Sequence, residues 1–405
     1  MFIRQDYFGK VAPYAGLDVV KVLTGMRRSG KSVLLDQIRS WLASKRDGAL
    51  EVCVNFEEEE NARFLKKGAL GKLVGEALRR ADGRGVRVFL DEPHEAEEWE
   101  KAVNSMRAKP GVDVYLTGSN SKMLSGELAT HLTGRVVEIP VTPFSFREFA
   151  AAGRNAFRGM AREAVFLKYL EVGGMPFLSN LGWRPDLAKG YLEDVFSAIL
   201  LKDVARRGNV RDIDLLERIA RYVMAEAGHP FSASSIARYL KSEGRPCTVD
   251  TVLNYLSLCE DAFLFARVRR EDLAGKRILA VDEKFYAEDH GMRRAVVGGD
   301  ARHDIDQALE NIVCTELRRR GWNVTVGRAR EREIDFVGER NGERAYWQVA
   351  YLMPTEETRA REFDAFDRVP DHYPRFVVSM DPVNLSRNGI RHLNICDFLE
   401  EDFHV

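Results

Sequence analysis

The chain has 405 residues, 45% hydrophobic and 30% charged, and its 61 Lys and Arg against 62 Asp and Glu leave a formal net charge of -1. That balance provides no global basic field for nucleic acid, so any such contact has to come from a local patch. Single cores stop growing near roughly 250–300 residues, so two or three domains are expected. The five cysteines, Cys53, Cys247, Cys259, Cys314 and Cys396, are scattered and form no C-x-x-C pair, which points to a reducing compartment. No basic stretch followed by an apolar core opens the chain, and nowhere do eighteen apolar residues run together, so a cytoplasmic protein without membrane contact is expected.

In chain order, short β-branched runs at 19–23, 52–56, 86–90, 112–116 and 136–139 alternate with helical stretches. This is the pattern of buried parallel strands in a doubly wound α/β sheet. Residues 144–208 read as a helical lid or connector, punctuated by Gly173-Gly174-Met175-Pro176. Three helical periods at 213–227, 232–242 and 248–260 precede two strands at 263–268 and 277–281, which suggests a winged helix over 209–290. A helix at 305–320 and strands at 323–327, 334–337, 345–351 and 375–379 predict a second, small α/β domain over 291–405, after a first domain over 1–143.

Gly25-Met26-Arg27-Arg28-Ser29-Gly30-Lys31-Ser32 fits G-x-x-x-x-G-K-[ST] between an apolar strand and a helix, where that motif belongs. Backbone N–H groups of such a loop turn toward the phosphates of ATP, Lys31 meets the β and γ phosphates, and Ser32 ligates Mg2+. Arg27 and Arg28 add positive charge near the phosphates, or face solvent or a neighbouring subunit. The apolar run 86–90 ends in Asp91 and Glu92, the form of a Walker B strand: Asp91 would hold Mg2+ and Glu92 would polarise the attacking water. A further strand ends in Thr117-Gly118-Ser119-Asn120, where Ser119 or Asn120 is either a γ-phosphate sensor or part of a plain turn. Arg135 is either a charge-stabilising finger for a neighbouring subunit in a homo-oligomer or an edge residue of the next strand.

The stretches T-G-M-R-R-S-G-K-S, F-L-D-E-P-H, L-T-G-S-N-S-K-M-L-S, L-T-G-R-V-V-E-I-P-V-T-P-F-S-F-R-E-F and G-G-M-P resemble the archaeal-type branch of AAA+ ATPases. L-K-D-V-A-R-R, N-Y-L-S-L-C-E-D-A-F-L and E-I-D-F-V extend the likeness over nearly the whole chain. The resemblance implies an AAA+ P-loop core, a winged helix and a C-terminal domain of unknown function similar to restriction endonucleases. His94 stands where relatives often carry Gln, and a solvent-facing side chain is expected for it.

The presumed recognition helix at 248–260 has neither Lys nor Arg, whereas Arg267, Arg269, Arg270, Lys276 and Arg277 on the ribbon are placed for non-specific contact with DNA phosphates, or form a solvated hairpin. In the C-terminal module Glu310, Asp335 and Gln348 follow the order of a nuclease-like site, or the acids simply mark a solvated strand end, and alternation puts Gln348 and Ala350 on one face. The set looks degenerate: Gln348 replaces an acid, Ala350 a lysine, and no lysine follows Lys284. An efficient DNA nuclease is therefore not expected. Taken together, these readings favour an ATPase whose nucleotide state switches the attached modules, against a low-turnover nucleotide-binding scaffold or an ATP-regulated nuclease.

Overall fold

The structure is a computed structural model, and it describes residues 2–121, 134–273, 275, 277–298, 304–329 and 332–401. The chain divides into two compact units: residues 1–142 with 261–263, and residues 143–260 with 264–405.

In the first unit, β1 (Val20–Thr24), β2 (Leu50–Asn55), β3 (Val86–Asp91), β4 (Val112–Gly118) and β5 (Val136–Pro140) form a parallel sheet in the order β2-β3-β4-β1-β5. The alternation of side chains supplies two cores. Val88, Leu90, Val114 and Leu116 pack on one face with Leu70, Val74, Trp99 and Met106 of helices Ala69–Ala81 and Trp99–Arg107. Phe89, Tyr115 and Leu23 pack on the other with Leu34, Ile38 and Leu42 of helix Lys31–Ala43. Helices on both faces explain why β1 and β3 are buried at every position, and why they read as continuous apolar runs. β4 lies between β1 and β3, so the ends of three strands that carry polar motifs become neighbours.

The second unit begins with helices Phe146–Ala152, closed by a Ser145–Glu148 capping box, Arg162–Val172 and Pro185–Ala198. Gly174 is required by close approach, since a Cβ there would fall 2.2 Å from the Phe144 carbonyl oxygen. Helices Ile213–Ala225, Ala233–Ser242 and Val249–Asp261 follow, where three helical periods are expected.

The following strands, β6 (Phe265–Asp272) and β7 (Arg277–Ala287), do not stand apart as a wing. They join β8 (Asn323–Ala329), β9 (Arg332–Arg340), β10 (Glu343–Val349), β11 (Arg375–Ser379) and β12 (Arg391–Asn394) in one sheet, in the order β12-β11-β10-β9-β8-β6-β7. The joint is parallel pairing of Arg270, Glu271 and Asp272 with Val326, Gly327 and Arg328. The domain limit expected at 290/291 therefore cuts a continuous hydrogen-bonded sheet. A ribbon read as self-sufficient has an edge that must find a partner, and β8 provides it.

Candidate nucleotide site and a second polar pocket

The phosphate loop follows β1 and opens helix Lys31–Ala43 with Gly30 in a left-handed conformation (φ 94°). Gly25 (φ 144°) admits no side chain, because a Cβ would come within 2.2 Å of the Val141 carbonyl oxygen. Lys31 is 5% exposed, and its ammonium donates to the carbonyl oxygens of Gly25 and Met26, each at 2.9 Å. The charge is thus held at the centre of the loop. Ser29 is fully buried, with an Oγ that has no hydrogen-bond partner among the described residues, while its carbonyl oxygen accepts from the buried Arg4 guanidinium at 3.3 Å. Ser32 is exposed in the first helical turn. Arg27 Nη1 lies 3.6 Å from Glu57 Oε1, and Arg28 is exposed at φ 68°.

Asp91 ends β3 and Glu92 follows it, one strand removed from β1 and its loop. Asp91 is buried, and its Oδ1 accepts a 2.6 Å hydrogen bond from the Thr117 hydroxyl on β4. The same Thr117 Oγ1 accepts from the Glu92 backbone N–H at 2.9 Å. Thr117, absent from the expected set, thus fixes the direction of one acid and the backbone of the next. Glu92 adopts φ 53°, a left-handed conformation uncommon outside glycine that turns its side chain away from the strand direction. Its Oε2 lies 3.2 Å from His94 Nδ1 and accepts a long 3.5 Å contact from the Ser119 hydroxyl. His94 is not solvent-facing as expected: its side chain is 16% exposed and turned to Glu92 and Glu95. Ser119 and Asn120 are both buried at the end of β4.

Loop, acids and Ser119–Asn120 therefore share the carboxyl edge of the sheet, where open α/β folds bind ligands. A buried lysine at a helix N-terminus, a loop without room for a Cβ, an orphaned buried hydroxyl and an oriented acid together fit a nucleotide triphosphate with its Mg2+. Arg135 does not join them. It precedes β5 at the opposite, amino edge, roughly 16 Å along the sheet from that strand's far end. There it is half-exposed and paired with Asp18 at 3.2 Å.

A family profile described as an AAA domain matches residues 18–150, and one described as a domain of unknown function matches residues 163–303. An uncharacterized protein of Haemophilus influenzae is 34% identical over 401 residues, covering 98% of each chain. The chain belongs to its family. A second relative, an uncharacterized protein of Methanocaldococcus jannaschii, is 26% identical, with 98% of this chain and 88% of that one covered. Among solved structures, the Walker-type ATPase PABY2304 of Pyrococcus abyssi shares the fold with a TM-score of 0.51 and 15% identity, covering 73% of this chain and 96% of that one. The fold is thus that of the AAA+ ATPases, and nucleotide binding with Mg2+ is general in such folds. No helix among the described residues is long and apolar enough to cross a membrane.

The protein carries a second polar pocket in its C-terminal sheet. Glu310, on helix Ile305–Arg319, and Asp335, on β9, line a cavity of about 600 Å3 together with Gln348. Gln348 turns its Oε1 to the Asp335 backbone N–H at 3.3 Å, and Asp335 Oδ2 accepts from the Val349 N–H at 2.8 Å. One expectation fails here. Lys284, placed on sequence in the winged-helix span 209–290, is buried behind two of the pocket's acids, its ammonium 3.0 Å from Glu310 Oε1 and 2.8 Å from Glu333 Oε1. Because β6 and β7 belong to the same sheet, the module contains a lysine after all. Burial and then the Glu310 charge push the Asp335 carboxyl well above its ordinary range. Burial alone would lower Lys284, but Glu310, Asp335 and Glu333 outweigh it and hold its pKa above the usual value.

The ribbon's described arginines are committed elsewhere. Arg267 pairs with Glu260 at 3.1 Å and Glu283 at 3.4 Å, Arg269 lies 3.9 Å from Glu283, and Arg270 pairs with Glu333 at 2.9 Å. Lys276 and the Arg277 side chain lie outside the described residues.

Proposed function

We propose that the protein is an ATP-hydrolysing switch in which phosphate binding at the carboxyl edge of the first unit is passed to the second through the chain that connects them. Lys31 and the loop N–H groups hold the β and γ phosphates, and Ser32 with Asp91 holds Mg2+. Glu92 accepts a proton from the attacking water, and Ser119 or Asn120 reads the γ-phosphate. The cation, when bound, neutralises charge on the transferring phosphoryl group. Thr117 and His94 act through Glu92 and Asp91 by fixing where they point.

One observation carries the switch. The exit strand from the first unit lies against the phosphate loop: the Val141 N–H donates to Thr24 at 2.6 Å, and the Val141 carbonyl oxygen fills the space where Gly25 would carry a Cβ. The next residue but one, Pro143, begins the second unit. A shift of Gly25 on binding a triphosphate would press on the Val141 carbonyl, which gives the nucleotide state a direct lever on the connecting segment. Arg135 reaches phosphates only from a neighbouring copy, and the proposal assigns it there, in a homo-oligomer. Non-specific DNA contact through the ribbon is left out, because Arg267 and Arg270 are already paired.

Hydrogen exchange of residues 141–152 tests the lever. Glu92→Gln protein, saturated with ATP and Mg2+, is expected to exchange at a rate at least about threefold different from the nucleotide-free protein over this segment. Equal exchange, with nucleotide binding demonstrated in the same sample, would refute the switch and favour a static nucleotide-binding scaffold.

A further inference from the structure

The last register pair of β4 is Gly118 with Thr24, so Ser119 and Asn120 lie beyond the end of the strand ladder. Backbone past a ladder is ordered only by other contacts, which have to offset its conformational entropy. The next residue supplies such contacts. The Ser121 N–H donates to the Asp261 carbonyl oxygen at 2.9 Å, and the Ser121 hydroxyl donates to Asp261 Oδ1 at 2.9 Å. Two bonds between the same two residues fix direction as well as distance, and the one that ends on a carboxylate is the stronger kind. Asp261 stands 140 positions further along the chain, where it closes helix Val249–Asp261. Residues 261–263 nevertheless belong to the first unit, although the chain on either side of them belongs to the second. The excursion ends at Phe263, whose φ of 55° is uncommon for a bulky residue, and the Leu264 N–H then returns to the Cys259 carbonyl oxygen at 3.0 Å.

We propose that Asp261 is a positioning residue of the nucleotide site: through Ser121 it holds Ser119 and Asn120 at the γ-phosphate, and its hold on Ser121 tightens when ATP is bound. The inference rests on the ATP-hydrolysing reading of the first unit and adds to it a residue from the end of a helix in the span 209–290. A polar group that stabilises developing charge acts only if it is already in place when the charge appears. A misplacement of about 1 Å is enough to cost on the order of a hundredfold in rate. ATP affinity is touched less, because Lys31 and the loop N–H groups carry it. The coupling is reciprocal, so what ATP gains from an ordered Ser119–Asn120 the Ser121–Asp261 contact gains from ATP. Helix Val249–Asp261 is a rod of roughly 18 Å at 1.5 Å per residue, and anchoring its last residue constrains its whole length. That role needs no cations, and the helix has neither Lys nor Arg.

The test uses the full chain as wild type, Ser121→Ala, Asp261→Ala, the double variant and Asp261→Asn, read by phosphate release, fluorescent-nucleotide titration and thermal unfolding. Each alanine variant should lower turnover at least about tenfold, with ATP affinity within about threefold and the unfolding temperature within about 3 °C of wild type. The double variant should be no more than about twofold slower than the slower single one, because either change removes the same contact. Asp261→Asn, whose Oδ1 still accepts from the Ser121 hydroxyl, should keep turnover within about threefold of wild type. In Glu92→Gln protein, ATP with Mg2+ should slow hydrogen exchange over residues 249–260 at least about threefold, and adding Ser121→Ala should remove that slowing. A wild-type rate in either alanine variant, losses that multiply in the double variant, or losses matched by falls in affinity and unfolding temperature would each overturn the proposal. So would exchange over 249–260 that ATP leaves unchanged. A wild-type protein that released no phosphate would overturn the ATPase reading together with this one, whereas the other outcomes leave that reading standing.

Discussion

Thr117→Val is the sharpest perturbation of the nucleotide site, because it keeps the shape of the side chain and removes only a hydroxyl. That hydroxyl makes two hydrogen bonds, a 2.6 Å donation to Asp91 and a 2.9 Å acceptance from the Glu92 N–H. A bond to a charged group is worth roughly 1.5–3 kcal/mol and a neutral one about 1 kcal/mol, while the Glu92 N–H is left without its partner. Allowing for non-additivity, the first unit should lose about 2–4 kcal/mol. At about 3 °C per kcal/mol this lowers its unfolding temperature by roughly 6–12 °C. Turnover should fall at least about tenfold, which needs only about 1.4 kcal/mol of misalignment at the transition state. Nucleotide affinity, set by Lys31 and the loop, should change less than about threefold. Calorimetry, phosphate release and a fluorescent-nucleotide titration read the three quantities. Thr117→Ser, which restores the hydroxyl, should recover most of both losses. A Thr117→Val protein with wild-type unfolding and turnover, or a Thr117→Ser protein impaired as badly as Thr117→Val, would refute the bridge.

Three further outcomes follow from the geometry. Arg135→Ala should reduce turnover without reducing nucleotide binding, and only under conditions where the protein assembles; a strictly monomeric protein with full turnover in this variant would remove the finger. Gly25→Ala should abolish nucleotide binding, since its Cβ would meet the Val141 carbonyl at 2.2 Å, and calorimetric ATP titration checks it. Burial lowers the His392 imidazole, against the opposing charge of Asp381, and its Nδ1 accepts the Leu385 N–H at 3.2 Å. The unfolded chain, titrating near about 6.5, takes up a proton that the folded one resists, so this group's contribution is present above that pH and is lost as pH falls through it. His392→Gln should therefore lose less stability than wild type between pH 7.5 and 5.5, by urea midpoints.

What the sequence could tell depended on whether a motif was contiguous. The loop from Gly25 to Ser32 and the Asp91–Glu92 pair are each local, and the apolar runs around them identify the strands that carry them. Thr117 was missed, although a signal existed: a hydroxyl residue near the end of an apolar strand that lies next to the acid-bearing one. Using it required knowing that β4 inserts between β1 and β3, which is a matter of sheet order and not of composition. His94 misled because a histidine in a polar turn looks exposed until the left-handed bend at Glu92 brings the two side chains together. Lys284 was beyond reach for a different reason. It lies 26 positions before Glu310, and only the pairing of β6 with β8 joins its strand, β7, to the sheet that carries Asp335. Lys21 is a similar case: fully buried in an otherwise apolar strand, it is tolerated because Asp113 on the adjacent strand receives its ammonium.

The central claim is that Lys31 and Glu92 serve one ATP-hydrolysing site in different ways. Steady-state phosphate release, measured beside ATP affinity for wild type, Lys31→Ala and Glu92→Gln, tests it most directly. The account predicts wild-type turnover that is lost in both variants, with ATP still bound at near wild-type affinity by Glu92→Gln and at least about a hundredfold more weakly by Lys31→Ala. ATP binding unaffected by Lys31→Ala, or phosphate release unchanged in Glu92→Gln, would contradict it.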